Sequence, residues 1–186
     1  MDYKGQSDEE LVALFAGGDQ EALQVIAVRY RNKVLQFVLW LSGPGNAEDL
    51  TQDVFVELFR SAKSFKGDSS FRTWLYGIAR NVCRRHQRAQ KFKRILFSAG
   101  TTIDRIQDEV ASPYEQARQV ETSMYLDKAI GSLSPGQRVT LLLRVWEGLS
   151  YEAIATVLQV PVGTVRSRLH HARAKLAKKL ARDPEK

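Results

Sequence analysis

The sequence predicts an all-α fold, two small helical domains joined by a flexible linker, with a helix-turn-helix in the C-terminal one. Three observations predict it. Apolar residues recur at i, i+3 and i+4 along most of the chain, which places them on one face of a helix. No run alternates apolar and polar residues for long enough to build a sheet. From about Phe97 to Arg118 the periodicity fades among Ser98, Gly100, Thr101, Thr102, Ser112 and Pro113, a stretch too long for a loop inside one compact domain. The expected divisions are a domain over 1–95, a linker over 96–119 and a domain over 120–186.

The elements follow in order. Ser7 with Glu10 three residues on is a capping box, and it starts a helix carrying Leu11, Leu14 and Phe15. Gly17-Gly18 stops that helix, and Asp19 caps a second. Its stripe is Leu23, Ile26, Ala27 and Tyr30, then Val34, Phe37, Val38 and Leu41. Ser42-Gly43-Pro44-Gly45 is a turn. Asn46 is expected to cap a third helix, with Glu48 and Asp49 in the first turn, where the helix dipole favours anions. Leu50, Val54 and Leu58, with Phe55 and Phe59, form its buried stripe. After a loop over 65–70 a fourth helix starts near Phe71, with Trp74, Leu75, Ile78, Ala79 and Val82 on its apolar side.

The C-terminal domain opens with a helix near 120–131. Ser134-Pro135-Gly136-Gln137 starts the next, with Ser as N-cap, Pro in the first turn and Gln closing a capping box. Val139, Leu142, Leu143 and Trp146 follow on one face, and Gly148 ends the helix. Ser150 caps a short helix from Tyr151 to Leu158 whose inward positions are Ile154, Ala155 and Leu158. Gln159-Val160-Pro161 is a turn, and a second helix begins near Val162 with Val165 and Leu169 facing inward. Two helices of these lengths joined by so short a turn make a helix-turn-helix. The N-terminal residues of its second helix enter the major groove. Thr164, Arg166, Ser167, His170 and His171 can face outward there, Arg166 toward guanine edges; Arg173 and the lysines beyond it suit phosphates.

Charge separates along the chain. The total is 28 Lys+Arg against 21 Asp+Glu, a net +7. Residues 1–64 are net −4, 65–94 net +8, 95–120 net −2 and 121–186 net +5. Between Arg72 and Arg94, and again between Arg166 and Arg182, there is no acidic residue. One such stretch is as easily a solvated helix face, but two in two domains point to phosphate backbones. Cys83 is the one cysteine, and no Cys/His spacing fits a zinc site, so neither metal nor cofactor is expected. The N-terminus Met1-Asp2-Tyr3-Lys4 lacks an apolar signal core, and no apolar run is long enough to span a bilayer. A soluble cytoplasmic protein without membrane insertion is the expectation.

Three motifs carry a resemblance over about 8–95 and 120–180. They are Asn46-Ala-Glu-Asp-Leu-Thr-Gln-Asp-Val-Phe-Val, then Phe65-Lys-Gly-Asp-Ser-Ser-Phe-Arg-Thr-Trp-Leu-Tyr-Gly-Ile-Ala-Arg-Asn81, then Leu133-Ser-Pro-Gly-Gln-Arg through Val160-Pro-Val-Gly-Thr-Val-Arg-Ser-Arg168. In this order they resemble the extracytoplasmic-function (ECF, group IV) class of bacterial sigma factors in the sigma-70 family. The resemblance implies that 1–95 is sigma region 2, which docks on core RNA polymerase and recognises and melts the −10 element. It implies that 120–186 is sigma region 4, which reads the −35 element. Docking falls to Asp49, Gln52, Asp53, Phe55 and Glu57. Single-stranded −10 DNA falls to Lys66, Asp68, Ser69 and Ser70 at a pocket edge, Asn81 for base edges, and Arg80, Arg84, Arg85 and Arg88 for phosphates. Duplex −35 DNA falls to Thr164, Arg166, Ser167, His170, His171 and Arg173. His171 stands where relatives often carry Arg, and Gly77 where they often carry a longer residue, here read as allowing close packing.

The resemblance also implies an anti-sigma partner and a role in a stress or envelope response, with no enzymatic activity. Trp74 and Tyr76 could stack on bases, although Trp74 falls on the apolar stripe and reads as core. Two other readings stay open: an autonomous helix-turn-helix regulator, and a nucleic-acid enzyme using Ser69, Ser70 or Tyr76 beside Arg72 and Arg80.

Overall fold

In the computed structural model, which describes residues 3–98 and 128–181, every regular element is a helix. α1 spans Asp8–Ala16 and begins in the expected capping box: the Ser7 hydroxyl accepts from the Glu10 amide at 3.2 Å and the Glu10 carboxylate accepts from the Ser7 amide at 2.7 Å. Gly17 closes it, and Gly18 turns the chain with φ +110°, a value that glycine reaches without strain. Asp19 then caps α2, Gln20–Ser42, by accepting from the Glu21 amide. α2 is the spine of the N-terminal unit, burying Ile26, Tyr30, Val34, Phe37, Val38 and Trp40.

A 3-10 turn, Pro44–Asn46, leads directly into α3, Ala47–Ser61. Asn46 therefore does not cap: its φ −139° and ψ 20° are not the extended values a cap needs, and its side chain accepts no capping bond. Leu50, Val54 and Leu58 are buried as expected, but Phe59 is 54% exposed. It lies about 100° round the helix from Leu58, at the rim of the stripe, with its ring 5.1 Å from that of Phe15.

α4, Phe71–Ser98, runs past the expected boundary at 95. Its buried stripe is Phe71, Leu75, Tyr76, Ala79, Val82 and Cys83. Tyr76 is 0% exposed, with its ring 5.1 Å from Phe37, so it neither stacks on bases nor reaches a strand as a nucleophile. Trp74 is half-buried at the edge of the core, its ring 4.9 Å from Phe65. Gly77 serves no close packing, because a Cβ there would meet nothing within 4 Å.

Residues 99–127, which hold most of the expected linker and the start of the helix near 120–131, lie outside the described residues; 128–131 are helical. Ser134 opens α5, Pro135–Val145, in a second capping box. α5 ends before Trp146, which is 53% exposed rather than part of the inward face; Gly148, with φ +65°, belongs to the turn that follows. α6, Tyr151–Leu158, is capped by Ser150. Gln159 takes the left-handed conformation at φ 51°, and α7, Val162–Leu180, begins after Pro161 with Val165, Leu169 and Ala172 inward. α5 and α6 pack on α7 to form the helix-turn-helix unit.

The two units touch. α2 packs on α5 and α4 on α6, and buried side chains from both units form one continuous apolar cluster. Where they meet, the Tyr76 hydroxyl is held far above the usual tyrosine range by burial and by the nearby Glu147 carboxylate, without a hydrogen bond of good geometry. Removing that hydroxyl should therefore cost little. Tyr76→Phe is expected to unfold in denaturant within about 1 kcal/mol of the parent, or slightly above it. Tyr76→Ala should lose about 3–5 kcal/mol. A loss of more than about 2 kcal/mol in the Phe variant would mean the hydroxyl makes a bond the fold needs.

Candidate nucleic-acid interfaces

Long helices of opposite-sided chemistry place charged side chains predictably, since each residue advances the helix by about 100°. On α4, Arg80, Arg84, Arg88, Asn81 and Arg85 fall within an arc of about 140° on the side away from Leu75, Ala79 and Val82. Asn81, Arg84, Arg85 and Arg88 are exposed, and Arg80 is half-buried. Burial first, then the neighbouring Arg84 and Arg88 cations, pull the Arg80 guanidinium below the usual arginine range. So many like charges on one helix repel each other, and a polyanion relieves that repulsion.

The loop before α4 is held from both sides. Gly67 turns it with φ +76°. Phe65 packs on Phe71 and Trp74. Lys66 and Asp68 are exposed and Ser69 is half-buried. Ser70 is occupied: its hydroxyl accepts from the Thr73 amide at 3.3 Å and lies 2.9 Å from the Thr73 hydroxyl, capping α4. The first amide of α4, on Phe71, donates instead to Glu9 Oε1 of α1 at 2.8 Å. α4 has no acid in its own first turn, so α1 supplies that charge from 62 residues away. Sequence reasoning missed Glu9, because nothing in the order of residues announces a cap given by a distant helix.

α3 presents Asp49, Gln52 and Asp53 on its outer face, all exposed. Phe55 instead packs against the core, and Glu57 is turned aside toward α4, 3.7 Å from Arg85. Val56, 46% exposed, and Phe59 extend the outer face one turn further; both are missing from the expected set. They could have been found by continuing the 49, 52, 53 spacing to 56 and 59.

On α7, Arg166, Ser167, His170, His171 and Arg173 are exposed opposite Val165, Leu169 and Ala172, while Thr164 is half-buried. Ser167 donates its hydroxyl to the Thr164 carbonyl at 3.0 Å, keeping acceptor capacity outward. The His170 and His171 rings are 5.7 Å apart. Glu152 is held below the usual carboxylate range by its own backbone amide and by Ser150, with a smaller contribution from the Arg166 cation. Lys175 is engaged within the chain, donating to the Ser132 carbonyl. Among the described residues, no group of three or more His, Cys, Asp or Glu is placed to hold a metal, and no helix is long and apolar enough to cross a membrane.

Residues 26–93 match the family described as Sigma-70 region 2, and residues 123–176 match Sigma-70, region 4. The chain is 35% identical over 183 residues to the RNA polymerase sigma-H factor of Pseudomonas aeruginosa, covering 94% of each chain. It is 34% identical over 184 residues to the ECF RNA polymerase sigma-E factor of Escherichia coli K12, again covering 94% of each. Among solved structures it is similar to CnrH in complex with the cytosolic domain of CnrY, with TM-score 0.64 and 26% identity over 96% of this chain and 99% of that one. It is also similar to the sigma factor RpoE in complex with the anti-sigma factor NepR from Bartonella quintana, with TM-score 0.65 and 27% identity over 86% and 97%.

The cap across α1 and α4 gives a local test. In Glu9→Ala the Phe71 amide loses its acceptor, so its hydrogen exchange should quicken by about tenfold, with global stability down by only about 1 kcal/mol. Unchanged exchange at Phe71 would remove Glu9 from the loop's support.

Proposed function

This chain belongs to the extracytoplasmic-function class of the sigma-70 family, and from that premise we propose that it is a dissociable initiation factor. It binds core RNA polymerase and directs the enzyme to promoters by reading two separated DNA elements. The observation that carries this reading is the presence of both sigma regions, in family order, on one chain that covers 94% of its curated relatives. An autonomous helix-turn-helix regulator needs only α5 to α7 and leaves the N-terminal match without a role.

Each surface has its part in this reading. The outer face of α3, with Asp49, Gln52 and Asp53 as charge and Val56 and Phe59 as apolar anchors, docks on a basic-rimmed site of the polymerase. The basic face of α4 follows the backbone of the opened strand, while Asn81 meets a base edge and the 66–70 loop borders a base pocket. Ser70, spent on capping α4, contributes there through its backbone. α7 enters the major groove of the duplex element, where Arg166 reads bases and Arg173 meets phosphate. The domain assignments over 1–95 and 120–186 follow, with 96–119 joining them. The relatives are regulators of transcription, and this chain has the same role, supplying recognition while the polymerase supplies the catalysis. It acts where the polymerase is, in the cytoplasm. Its regulator is an anti-sigma protein, as for the structural neighbour held by NepR.

Reconstituted transcription with core polymerase and genomic fragments tests the reading: the purified chain should add new start sites, and no gain over core enzyme alone would end it. Arg166→Ala should lower specific initiation by about 1–3 kcal/mol, roughly 5- to 150-fold, while core binding persists. Asp53→Ala and Phe59→Ala should show the reverse, with weaker core binding by about tenfold. Wild-type core affinity in both would remove the docking face from α3.

A further inference from the structure

The outer side of α7 has an order of its own. At about 100° per residue, Gly163, Ser167 and Ala174 fall within about 20° of one line, opposite the buried Val165, Leu169 and Ala172. A Cβ on Gly163 would meet nothing within 4 Å, so the fold does not require a glycine there. Small residues along this midline let the helix backbone come close to whatever it faces. His170 falls about 40° to one side of the line and His171 about 60° to the other. Both are exposed, with ring planes 72° apart and centroids 5.7 Å apart, so the rings do not stack.

The charges around the pair are almost all positive. On α7 itself Arg166 and Arg173 flank His170, and Arg168 and Lys175 flank His171, each three or four residues away. The helices packed on α7 add few ionisable groups: Arg138 and Arg144 on α5, Tyr151 and Glu152 on α6, with Lys128 just before α5. Glu152 is the one acid among them, and it lies in the field of Arg166. The negative charge that would favour an imidazolium on this face therefore has to come from a bound polyanion. The major groove supplies it, because its two walls are phosphate backbones and its floor carries base acceptors.

We propose that His170 and His171 make duplex reading proton-coupled: each ring enters the groove as imidazolium against its own side of the groove, so binding the −35 duplex takes up protons from solvent. The proposal rests on the reading of α7 as the helix that enters the major groove. An imidazole that gains a negative partner on binding holds its proton more tightly in the complex than in the free chain. Affinity is then highest below the range in which free imidazole titrates and is lost as pH rises through it. An imidazole whose titration moves by one unit on binding changes affinity tenfold across that range.

The test uses holoenzyme made from core polymerase and the full-length chain. The probe is a promoter fragment whose start site reconstituted transcription has mapped, at constant salt. From about pH 6 to about pH 8 the parent should lose affinity by about tenfold more than a His170→Gln, His171→Gln variant. Glutamine is a good helix former at these exposed positions, and circular dichroism checks that helix content is kept. The comparison cancels protons taken up by the polymerase and by His86, which the variant retains. A His170→Arg, His171→Arg variant should keep the low-pH affinity at pH 8. A ratio of parent to glutamine-variant affinity that is the same at both pH values overturns the proposal, and so does an arginine variant no tighter than the parent at pH 8. Arg166→Ala in the same assay separates the two claims. If it lowers affinity while that ratio stays constant, α7 still reads the duplex and only the proton coupling fails. If neither it nor any histidine variant changes affinity at any pH, the reading of α7 fails.

Discussion

The burial of one stripe of α4 beneath α2 and α3 is the interaction on which the rest depends. A helix bearing so many arginines has little reason to stay ordered by its charges, which oppose one another along its length. Phe71, Leu75, Tyr76, Ala79, Val82 and Cys83 supply what holds it. Tyr76 meets Phe37 of α2, and Phe71 meets Tyr30 and Phe65, so the same aromatic cluster anchors the helix and the loop before it. Burying a side chain of this size is worth about 1.5–3 kcal/mol, more than the mutual repulsion of exposed cations screened by water and salt. The apolar side is what lets the opposite side remain basic.

Local signals were legible because they act within one turn or one period. The two capping boxes at Ser7 and Ser134, the start of α4 at Phe71, the bounds of α6 and the start of α7 all follow from side chains a few residues apart. The errors lie where the deciding neighbour is distant or where a periodic stripe meets its rim. Phe59 and Trp146 are apolar and correctly spaced, yet each stands at the margin of what the bundle covers. Tyr76 looked like a polar handle beside arginines, and Phe37 had already claimed its ring. Asn46 has the side chain of a cap without the backbone of one.

The site was legible as a set of charged faces and less so as a set of available groups. Periodicity assigns Arg84, Arg85 and Glu57 to a surface, but it does not say that Arg85 faces Glu57 or that Arg84 reaches Gln159. Ser70 likewise reads as a pocket hydroxyl until its bond to the Thr73 amide is seen. A side chain's chemistry can be read from its letter, whereas its spare bonding capacity depends on what the fold brings beside it.

The bond from the Phe71 amide to Glu9 has a consequence for how the protein is made. It joins residues 62 apart, and the core around it takes side chains from α1, α2, α3 and α4 together. During synthesis the N-terminal unit cannot close until α4 has left the ribosome, so α1 and the apolar side of α2 spend that interval uncovered. The helix-turn-helix unit closes on α5, α6 and α7, which follow one another directly in the chain. One half of this molecule therefore waits for its last helix, and the other assembles almost as it emerges.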